Sequence, residues 1–139
     1  MNFKDIDITK YLKAPDLNIK CVIIFGTNEG KIADYCSQFA KTVCQNLSDA
    51  FRVVNLSMDN VNKDIGTLFG EYNAQSLLGG RRVIIVKDAT DILTKHLKTL
   101  FDDNKSDTLL ILTSSSLNTK SSLVNLGKDR EDFAVIGCY

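Results

Sequence analysis

The residues best placed by type and spacing to do chemistry run from Val22 to Cys36, "VIIFGTNEGKIADYC". An apolar run enters a glycine turn containing Gly-Lys, and a helix-like stripe follows, which is the rhythm of a phosphate-binding loop. In the G-x-x-x-x-G-K-[ST] loop, backbone N–H groups wrap the phosphates, the lysine meets the outer ones and the hydroxyl holds magnesium. Here only Thr27, Asn28 and Glu29 separate Gly26 from Gly30, one residue short of that cradle. Lys31 is followed by Ile32, which cannot ligate magnesium, and Glu29 would set a negative charge beside the phosphates. The strand-like "RVIIVKDA" places Lys87 before Asp88, without the paired carboxylates that organise metal and water. Gly26, Gly30 and Lys31 therefore read as a degenerate phosphate loop, a tight strand-to-helix turn without a binding role. Neither a catalytic residue nor a cofactor or metal is expected.

A second constellation is "EYNAQSLLGGRRVIIV", residues 71–86. Ile65, Leu68, Phe69 and Tyr72 form a helical stripe. Continued at ~100° per residue, its centre passes near Ser76 and Gly79. Leu77 and Leu78 then fall roughly 130° to either side. Two leucines off the buried stripe, beside a Gly-Gly break, cannot both enter the core by extending that helix. Either the chain turns near Asn73 and a new short helix tucks them inward, or they form an exposed apolar knob that inserts into a partner. Arg81 and Arg82 read as solvated strand-end charges or as a polar rim around that knob.

Five apolar runs are available to position these features: 20–25, 51–57, 82–87, 108–113 and 133–139. Four are continuous rather than alternating, as in strands covered on both faces of a parallel sheet. Helical stripes separate them. The first carries Ile32, Cys36, Phe39, Ala40, Val43, Cys44 and Leu47. The second begins near Asp59 or Asn60 as N-caps and reaches Tyr72. The third follows Asp91 with Leu93, Leu97, Leu100 and Phe101. A weaker fourth, "NTKSSLVNLGK", ends at Gly127. Alternating strands and helices predict right-handed crossovers and a three-layer α/β sandwich on a mainly parallel five-stranded sheet. Residues 1–19 read as an N-terminal leader and 20–139 as one α/β domain. The final strand runs out at Tyr139, as in a domain taken from a longer protein.

Composition narrows the function classes. The 139 residues carry 17 basic and 17 acidic side chains, a balance that gives no support to direct binding of nucleic acid or an anionic membrane. No apolar run approaches the ~20 residues of a membrane span, and the N-terminus lacks a signal-peptide core, so a cytoplasmic protein is expected. Cys21, Cys36, Cys44 and Cys138 are widely spaced, with one histidine in the chain, which argues against a zinc site or thioredoxin motif. Buried reduced thiols are the simpler reading.

The stretches "FGTNEGKIADY", "AQSLLGGRRVIIVKDAT" and "DTLLILTSSSLNTKSSLVNL" together resemble the N-terminal domain of the clamp-loader delta subunit of bacterial DNA polymerase III. The resemblance runs from about Cys21 to Tyr139 and is most specific at residues 76–88. It implies a P-loop-NTPase/AAA+-like fold that has lost ATPase function, with the family's helical lid and collar lying outside this chain. It also implies a subunit that binds the sliding clamp (the beta subunit) and helps open it for loading on primed DNA. Other clamp-loader subunits would be partners, and DNA would be met only through the assembled complex. Such a subunit performs no covalent chemistry, although its holoenzyme is a nucleotidyltransferase. In the family an adjacent apolar pair on a short helix enters a clamp pocket. By that likeness the contact falls on Leu77 and Leu78, preceded by Gln75 and Ser76. The family often has an aromatic at the second position, and the smaller Leu78 would bury less area.

Remaining residues read more plainly. His96 reads as a surface residue, "SSSLNTKSS" (114–122) as a polar loop and helix cap, and Asp91 as an N-cap. One alternative is a small P-loop kinase or NTPase with a variant loop, which predicts magnesium-dependent ATP binding. A flavodoxin- or receiver-like module is another, although "FGTNEG" lacks the acidic pair of a receiver and offers one Thr toward a flavin loop.

Overall fold

In a computed structural model, which describes residues 1–75, 79–102 and 106–139, the chain forms a five-stranded parallel sheet between two helical layers. In chain order the elements are α1 (Asp5–Lys13), β1 (Cys21–Gly26), α2 (Glu29–Lys41), β2 (Val53–Ser57), α3 (Met58–Lys63) and α4 (Ile65–Asn73). They continue with β3 (Val83–Lys87), α5 (Leu93–Asp102), β4 (Leu109–Ser114), α6 (Ser122–Asp129) and β5 (Phe133–Cys138). The strand order is β2-β3-β4-β1-β5, with every pairing parallel.

The continuous apolar runs have the meaning expected of them. Successive side chains of a strand point to opposite faces, and both faces of β1 are covered. Cys21, Ile23 and Phe25 join Ile84, Leu110, Leu112, Phe133 and Val135 in a core roofed by α3, α4, α5 and α6. Val22 and Ile24 join Ile85, Ile111, Ala134 and Ile136 in a second core beneath α1 and α2. Register confirms the layering, since Ile23 lies opposite Leu112 on one side and Val135 on the other.

Helix boundaries differ from the sequence pattern in four places. The first stripe outruns its helix: α2 ends at Lys41, while Val43 and Cys44 stay buried on the turn beyond it. The second stripe is two helices, not one. Ser57 rather than Asp59 or Asn60 caps α3, accepting from the Asn60 N–H. Asp64 then breaks the helix and caps α4, accepting from the Gly66 N–H. Gly127 does not end the last helix. It lies inside α6, where a β-carbon would come within 2.6 Å of Val135 Cγ2 and 2.9 Å of Ile23 Cδ1, so its missing side chain lets the helix approach the sheet.

The stretch before β1 is built into the domain. Ile8 and Tyr11 of α1 are buried, the Phe3 N–H donates to Val135 O, and the Val135 N–H donates to Met1 O. All four cysteines are buried free thiols. No helix of the described residues is long and apolar enough to cross a membrane.

Candidate functional site

The glycine turn stands at the carboxyl end of β1, an interior strand between β4 and β5, on the side where open α/β sheets bind ligands. Its atoms are engaged with the fold itself. Gly26 has φ +132°, and a β-carbon there would overlap the Cys138 carbonyl. Immediately after it the Asn28 N–H donates to Cys138 O at 3.1 Å. Asn28 caps α2, its Oδ1 accepting from the Lys31 N–H at 3.0 Å, and Ile32 N–H closes the first helical turn onto Asn28 O. The Lys31 ammonium lies 5.7 Å from the centre of the Tyr35 ring, a cation–π placement. Gly30 is exposed, with only the Asn28 side chain near its missing β-carbon.

Beside the turn a cavity of about 400 Å³ opens between α2 and the ends of β3 and β4. Ile32, Cys36 and Ile85 give it an apolar wall, and Glu29, Lys87 and Asp88 stand at its polar side. Two carboxylates and one ammonium there are a poor match for a triphosphate. Burial pushes the Cys36 thiol up to about 11, with Lys87 opposing the shift, so it is protonated at neutral pH and a weak nucleophile. Among the described residues no group of three or more His, Cys, Asp and Glu is placed to hold a metal ion.

At the opposite end of the sheet lies the base of the 75–81 stretch. Helix α4 ends at Asn73 and Ala74 is extended, φ −71° and ψ 150°, so α4 does not continue into the stretch. Gln75 is exposed. Ser76, Leu77 and Leu78 lie outside the described residues. The chain returns through Gly79 and Gly80 with φ +79° and +89°, a left-handed pair that favours glycine.

Arg81 and Arg82 are not solvated strand-end charges. Arg82 is 7% exposed, and its guanidinium binds two segments, the end of α4 and the approach to β2. Nη1 donates to Glu71 O at 2.7 Å and Ala74 O at 3.3 Å, Nη2 to Glu71 Oε2 at 2.8 Å, and Nε to Phe51 O at 3.1 Å. Arg81 donates to the carbonyls of Asp107 and Ile19. Arg52 reciprocates, donating from Nε to Arg81 O at 3.0 Å and from Nη2 to Val43 O at 2.6 Å. Sequence pattern had no means to give Arg52, Glu71 and Arg82 these roles. The one available signal was an arginine heading a continuously apolar strand, where a charge must be bonded if it is buried.

The other sequence-level candidates are structural. His96 is half-buried on α5. Asp91 does cap a helix, but a different one: its Oδ1 accepts from the Leu123 N–H at the start of α6. The serine-rich run forms the β4–α6 loop, with Ser121 Oγ accepting from the Asn118 N–H.

Comparison with known proteins adds three findings. The family model described as "DNA polymerase III, delta subunit" matches residues 22–132. Among solved structures, the DNA clamp loader delta protein of Bacillus subtilis superposes with a TM-score of 0.71 at 16% identity, covering 95% of this chain and 42% of that one. A DNA polymerase III gamma subunit-related protein from Thermotoga maritima gives 0.64 at 15% identity, covering 95% and 46%. At such identities these structures establish a shared fold, the AAA+-like sandwich of clamp-loader proteins, and the chain spans less than half of either. No curated protein matches the sequence.

Proposed function

Because the chain belongs to the DNA polymerase III delta-subunit family, we propose that it binds the sliding clamp and helps open it for loading on primed DNA, without hydrolysing ATP itself. The observation that carries the second half is the glycine turn. Its Asn28 amide is bonded to the end of β5, its helix start is capped by Asn28, and its lysine lies against Tyr35. Such a loop has a framework role, holding β1, α2 and β5 together.

The docking tip is Gln75, Ser76, Leu77 and Leu78, on the strength of family likeness and of the off-stripe position of the leucines. An apolar pair entering a pocket is the usual form of a compact hot spot. Clamp opening requires no covalent step. A ligand shifts an equilibrium by its differential affinity for the two states, so the tip must bind the sprung ring more tightly than the closed one. The remaining clamp-loader subunits are the other partners, DNA is met through their assembly, and the cytoplasm is the place of action. A lid and a collar beyond this domain complete the family's architecture.

Titrating the purified chain with magnesium-ATP and, separately, with the sliding clamp of the same organism tests both halves. The clamp is expected to bind. Replacing Leu77 and Leu78 together by alanine should remove binding while the melting temperature stays nearly unchanged. Saturable ATP binding would favour a variant-loop NTPase instead, and a large fall in melting temperature would place the leucines in the core.

A further inference from the structure

Arg82 performs a task that its own neighbourhood leaves open. The last turn of α4 contains no basic residue, so its terminal carbonyls lack the usual cationic complement. A guanidinium from the start of β3 supplies it from outside the helix, holding Glu71 O and Ala74 O together with the Glu71 carboxylate. The same group reaches Phe51 O, while the adjacent Arg52 returns a bond to Arg81 O. Gly80 lies against Arg52 so closely that a β-carbon would stand 3.2 Å from Nε. Both ends of the stretch that begins at Gln75 are thereby tied to the sheet.

We infer that Arg82 is a positioning residue for partner docking: by latching the end of α4 to β3 and to the entry of β2, it fixes Ala74, which leads into Gln75, relative to the start of β3. The inference rests on the clamp-binding reading above. Recognition elements held loosely by their supporting residues lose affinity even when every contact residue is intact. A multidentate arginine is the residue for which lysine is a poor substitute, since an ammonium is a point charge without the planar fork.

The test uses Arg82→Lys, Leu78→Ala and the double variant, with clamp affinity measured at a temperature where circular dichroism shows every protein folded. Arg82→Lys is expected to weaken clamp binding on the order of tenfold. In the Leu78→Ala background the same change should cost clearly less, because a residue acting through the tip has less to act on once the tip is trimmed. An equal fold-loss in both backgrounds, or no loss in either, overturns the inference. If Arg82→Lys does not fold, Glu71→Ala decides, with a several-fold weakening coupled to Leu78 in support and wild-type affinity against. Should Leu78→Ala and the double leucine variant both bind like wild type while Arg82→Lys is weakened, the docking reading itself fails, a result distinct from failure of the latch.

Discussion

Gly26 ends β1 with φ +132°, and the Cys138 carbonyl occupies the direction a side chain would take. Any L-residue there meets two penalties together, a left-handed backbone and an overlap with main-chain atoms that cannot rotate aside. Gly26→Ala is therefore expected to lower stability by about 2–4 kcal/mol, read as a reduced urea midpoint with an unchanged slope. A change of less than 0.5 kcal/mol would mean that β5 can move away, and with it the bond from Asn28 to Cys138. Spacing alone identified this glycine as a turn residue. What it could not supply is the partner, because Cys138 is 112 positions away in the chain. Arg82 was hidden for a related reason: three of its four acceptors are main-chain carbonyls, which every residue type carries, so no pattern of side chains announces them.

At the scale of elements, two opposing effects meet in α6. Exchanging a mid-helix glycine for alanine ordinarily gains about 1 kcal/mol in helix propensity. At Gly127 the new methyl would stand 2.6 Å from Val135 and 2.9 Å from Ile23 in the packed interior, and overpacking a core costs about 1–3 kcal/mol. Sheet contact decides, so Gly127→Ala is expected to destabilise on thermal unfolding, whereas a stabilised variant would show that α6 lifts freely. The start of the same helix depends on Asp91, whose carboxylate accepts from the Leu123 N–H. Asp91→Ala should cost about 1 kcal/mol, and Asp91→Asn, which keeps an acceptor, less than half of that. Equal losses for both would assign the effect to charge instead of capping. The order of strands and helices was legible because burial on two faces demands unbroken apolar runs and helices demand stripes. The ends of helices were less so. Asp91 is a good cap whichever helix it serves, Asp64 interrupts a stripe without disturbing its period, and Gly127 has the residue type of a terminator in a position governed by packing.

For the whole molecule, the two buried layers determine how stability responds to alkali. Burial raises the Cys36 thiol from 9.0 to about 11, raises Cys21 well above its usual value, and raises the Tyr72 phenol. Each of these groups holds its proton longer in the folded chain than in the unfolded one. Above pH 9 the unfolded state therefore binds fewer protons, and stability falls as pH rises. The contribution is fully present below pH 9 and is lost as the folded groups approach their own pKa. For Cys36, 7% exposed, the displacement corresponds to about 2–3 kcal/mol between pH 9 and 11. Urea unfolding at pH 8, 9.5 and 10.5 should show a steep loss for the natural chain and a shallower one for Cys36→Ala, the two curves converging with pH although the variant begins lower. Parallel curves would mean that Cys36 ionises as freely inside as outside. That would make the wall beside the glycine turn a wetted surface rather than a core, and the turn would lose the rigid support on which a framework role depends.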